Sequence, residues 1–187
     1  MSEPNELNYW RKFLRGDSEA LSNLYLLFVD DLYSYGIKIY HDESLVKDSI
    51  QDVFIGLIEK QDKLSISSNV KAYILKSLRN KILEELRTQN RRNEIKNLIF
   101  SSEENYSGYA DTLFAGSEEH HNRQAILSAA LKNLSKHQRE AIFLKYTNNC
   151  TYEQIAEIME ISIPSARTLI YRSLKQMKQF VFKKPDK

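Results

Sequence analysis

Helix breakers are scarce in this sequence, with 5 glycines and 3 prolines among 187 residues. Turn signals are correspondingly few, and no regularly spaced runs alternate apolar and polar residues, so strands are not expected and an all-α fold is predicted. Cysteine is nearly absent. The one copy, Cys150, can form no internal disulfide and lacks the paired spacing of a zinc site; it reads as a small half-buried thiol in a reduced compartment. Long apolar runs are missing as well. Nothing approaches the roughly 18 residues needed to cross a bilayer, and no charged start leads into such a run, so a cytoplasmic protein without membrane insertion is expected. Neither a nucleophile paired with a base nor a glycine-rich phosphate loop occurs, which leaves catalysis without candidates and predicts no cofactor. Excess charge of one sign is lacking too. The formal net charge of +2 is too small for a protein that coats nucleic acid by electrostatics alone, so any DNA binding must come from local patches.

What is present is apolar material at helical spacing. Hydrophobic residues make up 42% of the chain, enough for the core of one ordinary domain or two small ones. They recur from Leu21 to Arg92, as in Leu24, Leu27, Phe28 and Leu32, and again in Ile74, Leu75, Leu78, Ile82 and Leu86. The pattern breaks between about Asn93 and His121, where "SSEENYSGYADTLFAGSEEHH" is rich in Ser, Glu and Gly, and it returns from Arg123 to about Phe182. Two small helical domains, 1–92 and 123–187, joined by a flexible acidic linker at 93–122 and ending in a frayed basic tail, are therefore expected. Charge follows the same division. Basic residues crowd Arg87 to Arg92 and Arg167 to Lys187, whereas Ser101 to Glu119 holds acids and no Lys or Arg. His120 and His121 are neighbours and so point to different sides, with no further ligand at matching spacing; solvated residues are preferred to a metal site.

Three stretches carry candidate function. Ser135 with Gln138 and Thr151 with Gln154 have the spacing of capping boxes, and Ser162 can cap a third helix that tolerates Pro164 in its first turn. Two capped helices three or four residues apart cannot lie antiparallel, which predicts a helix-turn-helix with Ala156 at the close approach and Ile161 in the turn. In its second helix Ala166, Leu169 or Ile170, Leu174 and Met177 face inward, leaving Ser165, Arg167, Thr168, Tyr171, Arg172 and Lys175 outward. Such a face suits a major groove, or it is the solvated side of a small bundle. In "DSIQDVFIGLIEKQDKL", Asp48, Asp52, Ile55 and Glu59 share one side of a helix, while Val53, Phe54, Leu57 and Ile58 turn toward another. An acidic stripe with an apolar residue inside it fits a basic helical partner, or is a solvated face. In "NVKAYILKSLRNKILEELRTQNRR", Lys71, Lys76, Arg79, Asn80, Lys81 and Arg87 surround an apolar stripe, with Arg91 and Arg92 at its end and Tyr73 either a core ring or a group near DNA.

The stretch from Leu131 to Lys178 resembles the promoter-reading C-terminal domain of bacterial sigma factors, in particular the small extracytoplasmic-function group. The match runs through Leu134, Arg139, Glu140, Phe143, Leu144, Tyr152, Glu153, Ile155, Ala156, Ile161, Ser162, Arg172 and Lys175. Glu160 stands where the family often has Gly, so either it adopts a strained backbone angle or the turn is shaped differently. The two N-terminal stretches resemble the core-binding and promoter-melting domain of the same group. The paired resemblance implies a non-catalytic subunit whose partners are promoter DNA and core RNA polymerase, through the beta-prime clamp helices and the beta flap, with an anti-sigma factor as a further partner masking Leu- and Ile-rich faces. It implies docking through Asp48, Gln51, Asp52 and Phe54, with Ile58 replacing a common tryptophan. It implies also that Asn80 and the loop "KLSISSNVK" hold a minus-ten base while Arg79, Lys81 and Arg87 take the backbone. The acidic connector would thread positively lined polymerase channels. A dimeric helix-turn-helix regulator with a palindromic site, and an adaptor that binds only proteins, are the alternatives.

Overall fold

The computed structural model describes residues 5–65, 69–97 and 118–182, of which 89–97 and 118–124 are described as backbone alone. Every regular element among the described residues is helical. Helix α1 (Asn5–Leu14) ends because Gly16 takes φ 94°, letting its N–H reach the Phe13 carbonyl at 2.9 Å while Asp17 N–H reaches that of Lys12 at 3.1 Å. The same Asp17 caps helix α2 (Ser18–Ile39), its carboxylate accepting from Ala20 N–H at 3.1 Å. Asp42 caps helix α3 (Glu43–Glu59) likewise, through Leu45 N–H at 3.0 Å. A single 3₁₀ turn at Gln61–Lys63 then leads toward the long helix α4 (Val70–Asn97).

Helices α2, α3 and α4 close on one another through period-3.6 stripes. Leu24, Phe28 and Leu32 meet Val46, Ile50, Val53 and Leu57, and both meet Ile74, Leu75, Leu78 and Ile82, all buried. Helix α1 plugs one end of this bundle. Trp10 and Phe13 are 1% and 2% exposed, Trp10 packs edge-on to Tyr73 at 5.6 Å, and its indole N–H donates to the Ser65 carbonyl at 3.1 Å.

The second unit holds helices α5 (Glu118–Lys132), α6 (Lys136–Tyr146), α7 (Tyr152–Met159) and α8 (Ile163–Phe182) around Ala130, Leu134, Ala141, Leu144, Ile155, Ile158, Ala166 and Ile170. Both capping boxes form: Ser135 Oγ accepts from Gln138 N–H and Thr151 Oγ1 from Gln154 N–H, at 3.3 and 3.2 Å, and each glutamine returns a 2.8 Å bond to its cap residue. Cys150 is fully buried rather than half-buried, and burial pushes its thiol up to about 11. Fully burying one Leu or Ile contributes about 1.5–3 kcal/mol, against about 0–1 for an exposed ion pair, so apolar stripes hold each unit together.

Two features depart from the sequence reading. Helix enters the stretch read as linker from both ends, since α4 runs through Asn97 and α5 begins at Glu118. "RRNEIKN" has no Gly or Pro to stop α4. Residues 98–117, most of the acidic segment, the tail 183–187, and the side chains of Arg91, Arg92, His120 and His121 lie outside the described residues. The second departure is that the two units pack directly on each other, α7 against α4 and α6 against α2.

Candidate DNA and protein interfaces

The turn between α7 and α8 is made by a residue in an unusual conformation. Glu160 adopts φ 56° and ψ 45°, the left-handed region, and its N–H and that of Ile161 both bond the Ala156 carbonyl, the latter at 3.0 Å. The first of the two options at this position is thus the one adopted, at a cost of about 1–2 kcal/mol relative to Gly. Ser162 then starts α8, its hydroxyl accepting from Ser165 N–H at 3.2 Å. Ala166, Ile170 and Ser173 face inward, and Leu169 and Met177 are half-buried. Leu174, expected inside, is 40% exposed. Ser173 takes the inner position seven residues from Ala166, and its hydroxyl is satisfied by the Leu169 carbonyl at 2.7 Å.

Ser165, Arg167, Thr168, Tyr171, Arg172 and Lys175 are all exposed along one side of α8. Tyr171 presents 66% of its surface. Arg167 is steered by α7: its guanidinium lies 5.3 Å from the Tyr152 ring centre and 3.6 Å from Glu153. Both groups are well exposed, so the pair orients the arginine more than it stabilises the fold.

On α3, Asp48, Gln51, Asp52, Ile55 and Glu59 are exposed as a continuous stripe. Phe54 departs from the docking set implied by resemblance. It is 7% exposed and packs edge-on against Tyr25 of α2, ring centres 5.1 Å apart, because α3 is wedged between α2 and α4 and its inward arc includes this position. Ile58, read as inward, is 56% exposed instead and sits with Ile55, 42% exposed, among the acids. Tyr25, Leu26 and Leu27 of α2 are exposed too; Leu27, read as part of the apolar stripe, is 46% exposed, and the sequence pattern assigned Tyr25 and Leu26 no role. Their signal is the unbroken run Leu24 to Phe28, which no helix can bury on one face.

The cations of α4 are in a different state. Lys81 pairs with Asp52 at 2.9 Å and Glu85 at 3.6 Å, and the bond to Asp52 raises its pKa. Lys71 reaches Asp31 at 2.6 Å and donates to the Asn148 carbonyl at 2.7 Å. Lys76 pairs with Glu160 at 3.1 Å. Arg79 is 9% exposed, and its Nε donates to Glu140 Oε1 at 2.8 Å, the same oxygen that accepts from the Tyr35 hydroxyl at 2.8 Å. Burial works against the charge of Arg79, but Glu140 outweighs it and holds the guanidinium pKa above its ordinary value; burial and Glu140 together raise the Tyr35 phenol. Asn80 and Arg87 are exposed, whereas Tyr73 is half-buried against Trp10. Residues 66–68 of the loop before α4 lie outside the described residues. Sequence patterns gave no sign of Tyr35, Asp31 or Asn148 at this place.

Two family models match the chain: sigma-70 region 2 over residues 24–92 and sigma-70 region 4 over residues 124–177. A curated relative, the ECF RNA polymerase sigma factor SigM of Bacillus subtilis (strain 168), is 21% identical over 166 residues, 85% of this chain and 93% of that protein. Among solved structures, the sigma factor RpoE in complex with the anti-sigma factor NepR from Bartonella quintana superposes with TM-score 0.65 at 24% identity, over 87% of this chain and 98% of that one. CnrH in complex with the cytosolic domain of CnrY gives TM-score 0.65 at 15% identity, over 95% and 97% of the two chains.

Proposed function

We propose, for a chain that belongs to the extracytoplasmic-function group of sigma-70 factors and directs promoter-specific initiation of transcription, that three surfaces divide the work. The exposed side of α8 reads the minus-thirty-five element in the major groove: Arg167, Arg172 and Lys175 supply phosphate or guanine contacts and Ser165, Thr168 and Tyr171 shorter-range ones. The stripe of α3, with Asp48, Gln51, Asp52 and Glu59 around Ile55 and the exposed Ile58, docks on the basic clamp helices of core polymerase. Charge there steers the encounter and the two isoleucines supply apolar contact. Helix α4 opens the minus-ten element, with Asn80 at a flipped base and Lys71, Lys76, Arg79, Lys81 and Arg87 along the strand; unstacking a base costs a few kcal/mol, which capture and phosphate contacts offset. Tyr73, packed on Trp10, supports α4 rather than meeting DNA.

The domains follow the same division, 1–92 for polymerase and minus-ten DNA and 123–187 for the minus-thirty-five element, with the acidic segment between them in the polymerase channels. An anti-sigma partner fits as well: RpoE and CnrH, which share the fold, are described in complexes with NepR and with the cytosolic domain of CnrY. One observation carries the reading: a capped helix-turn-helix presents six polar or basic residues on one exposed helix side, in the same chain as an exposed acidic stripe with two isoleucines. Among the described residues no helix is long and apolar enough to cross a membrane. The test is run-off transcription on a library of promoter fragments with purified core polymerase. Initiation that depends on this protein is the expected result; DNA binding as a dimer without any core-dependent initiation would replace the reading with a helix-turn-helix regulator.

A further inference from the structure

We propose that Tyr152, the first residue of α7, is a positioning residue for promoter reading: its ring aims Arg167 of α8 at a base edge of the minus-thirty-five element, so that this arginine discriminates sequence rather than holding phosphate. The inference rests on the reading of α8 as the helix that enters the major groove. Arg167 is the fifth residue of α8, within the N-terminal part that such a helix inserts. Its guanidinium carbon lies 5.3 Å from the centre of the Tyr152 ring, and its Nη2 lies 3.6 Å from Glu153 Oε1.

The ring has a fixed seat. Thr151 and Gln154 lock the start of α7 in a capping box, and Tyr152, half-buried, packs against the hydrophobic core. Lys145 of α6 lies over the same ring, 4.7 Å from its centre, and is itself tied to the Cys150 carbonyl at 3.2 Å. Tyr152 thus links α6 to the arginine of α8 across the helix-turn-helix. An arginine on an open helix side has many rotamers, and a base edge rewards very few of them. A ring that selects among those rotamers before DNA arrives lowers the ordering cost of binding.

Both contacts leave the arginine able to read. A ring offers only its π face, and 3.6 Å to Glu153 exceeds the length of a normal hydrogen bond, so the paired N–H donors that match O6 and N7 of guanine stay available. Glu153 adds selectivity of another kind. Its carboxylate, beside the guanidinium, repels a phosphate far more than an uncharged base edge. For a cation that only holds the backbone, an acid at its side is a cost. Both partners of this pair are well exposed, so it is weak enough to rearrange on DNA.

The test reads base preference position by position. The full chain with core polymerase initiates on promoter fragments randomised through the minus-thirty-five element, and the transcribed fragments are sequenced. A preference is a ratio between sequences, so a change in the amount of folded protein cancels from it. Arg167→Ala is expected to cut the preference at one position about tenfold. Tyr152→Leu should cut it at that same position by about threefold, and at no other. Tyr152→Phe, which keeps the ring, should retain the wild-type profile, and Tyr152→Leu should add nothing in the Arg167→Ala background. An unchanged profile in Tyr152→Leu, or a Tyr152→Phe profile as flat as that of Tyr152→Leu, would overturn the positioning role. Arg167→Ala separates the two ideas. If it flattens a position and Tyr152→Leu does not, only the role of Tyr152 fails; if it flattens none, or the wild type initiates on no fragment, the reading of α8 fails first.

Discussion

Gly36 of α2 lies directly against Val46 of α3, so close that a Cβ added at Gly36 would sit 2.5 Å from Val46 Cγ1. Val46 is fully buried and cannot retreat. Gly36→Ala is therefore expected to destabilise the fold by about 1–3 kcal/mol, the range for overpacking a filled core. Urea unfolding checks it, and an unchanged midpoint would mean that α2 and α3 separate easily.

Gly56 is the contrasting case. It lies inside α3 with nothing within 4 Å of where a Cβ would stand. Gly56→Ala should raise stability by about 0.5–1 kcal/mol, through the entropy glycine loses in a helix. Paired unfolding curves of Gly56→Ala and Gly36→Ala should move in opposite directions.

Charge reversal in the α3 stripe is expected to weaken core polymerase binding. Asp52 is a confounded choice because it also neutralises Lys81 at 2.9 Å. Asp48→Lys is cleaner, and about 1 kcal/mol of core affinity, near fivefold, should be lost, mostly in the association rate. Surface-immobilised core polymerase gives both rate constants; an unaltered association rate would remove α3 from the interface.

Arg172 on the exposed side of α8 should distinguish base reading from phosphate contact. Arg172→Ala is expected to lose about 1–3 kcal/mol on the cognate minus-thirty-five sequence and far less on unrelated duplex. A loss of equal size on every sequence, with a shallower salt dependence, would reassign it to the backbone.

Lys38 predicts a pH dependence. Burial first, and Arg139 second, lower its pKa to about 8. A lysine whose folded pKa lies below its unfolded value of about 10.4 binds fewer protons when folded, so stability should rise with pH between about 8 and 10. Above 10 the raised Tyr35 phenol acts in the opposite sense, since the unfolded chain releases that proton first. Subtracting the profile of Lys38→Gln from that of wild type isolates the lysine; a flat difference from pH 8 to 10 would show that Lys38 reaches solvent.

Helices, capping boxes and the inward face of α8 around Ala166 and Ile170 were legible in the sequence because each depends on residues within a few turns of one another. Ile58 was not sorted correctly, since it lies four residues from Phe54 and differs little from it in direction; Phe54, put on the apolar side by spacing and in the docking set by resemblance alone, is buried against Tyr25. The seam between the two units was illegible for another reason. Tyr35 and Glu140 are 105 residues apart and Arg79 and Glu140 are 61 apart, and each belongs to a helix whose own pattern is complete without the other. Local periodicity reports which face of a helix is apolar; it carries no information on which distant carboxylate meets a cation.

Helix α1 has a consequence for how the protein can be divided. The region 2 match begins at residue 24, yet Trp10 and Phe13 fill the end of that bundle. Trp10 also donates to the Ser65 carbonyl, and Gln61 donates to the Phe13 carbonyl, so α1 holds the chain at Gln61 and Ser65, just beyond α3. A fragment cut at the edge of the family match would expose Tyr73 and the inner side of α2 and leave Gln61 and Ser65 without these partners. The matched segment and the packed bundle thus have different borders, and the ten residues of α1 lie wholly in the difference.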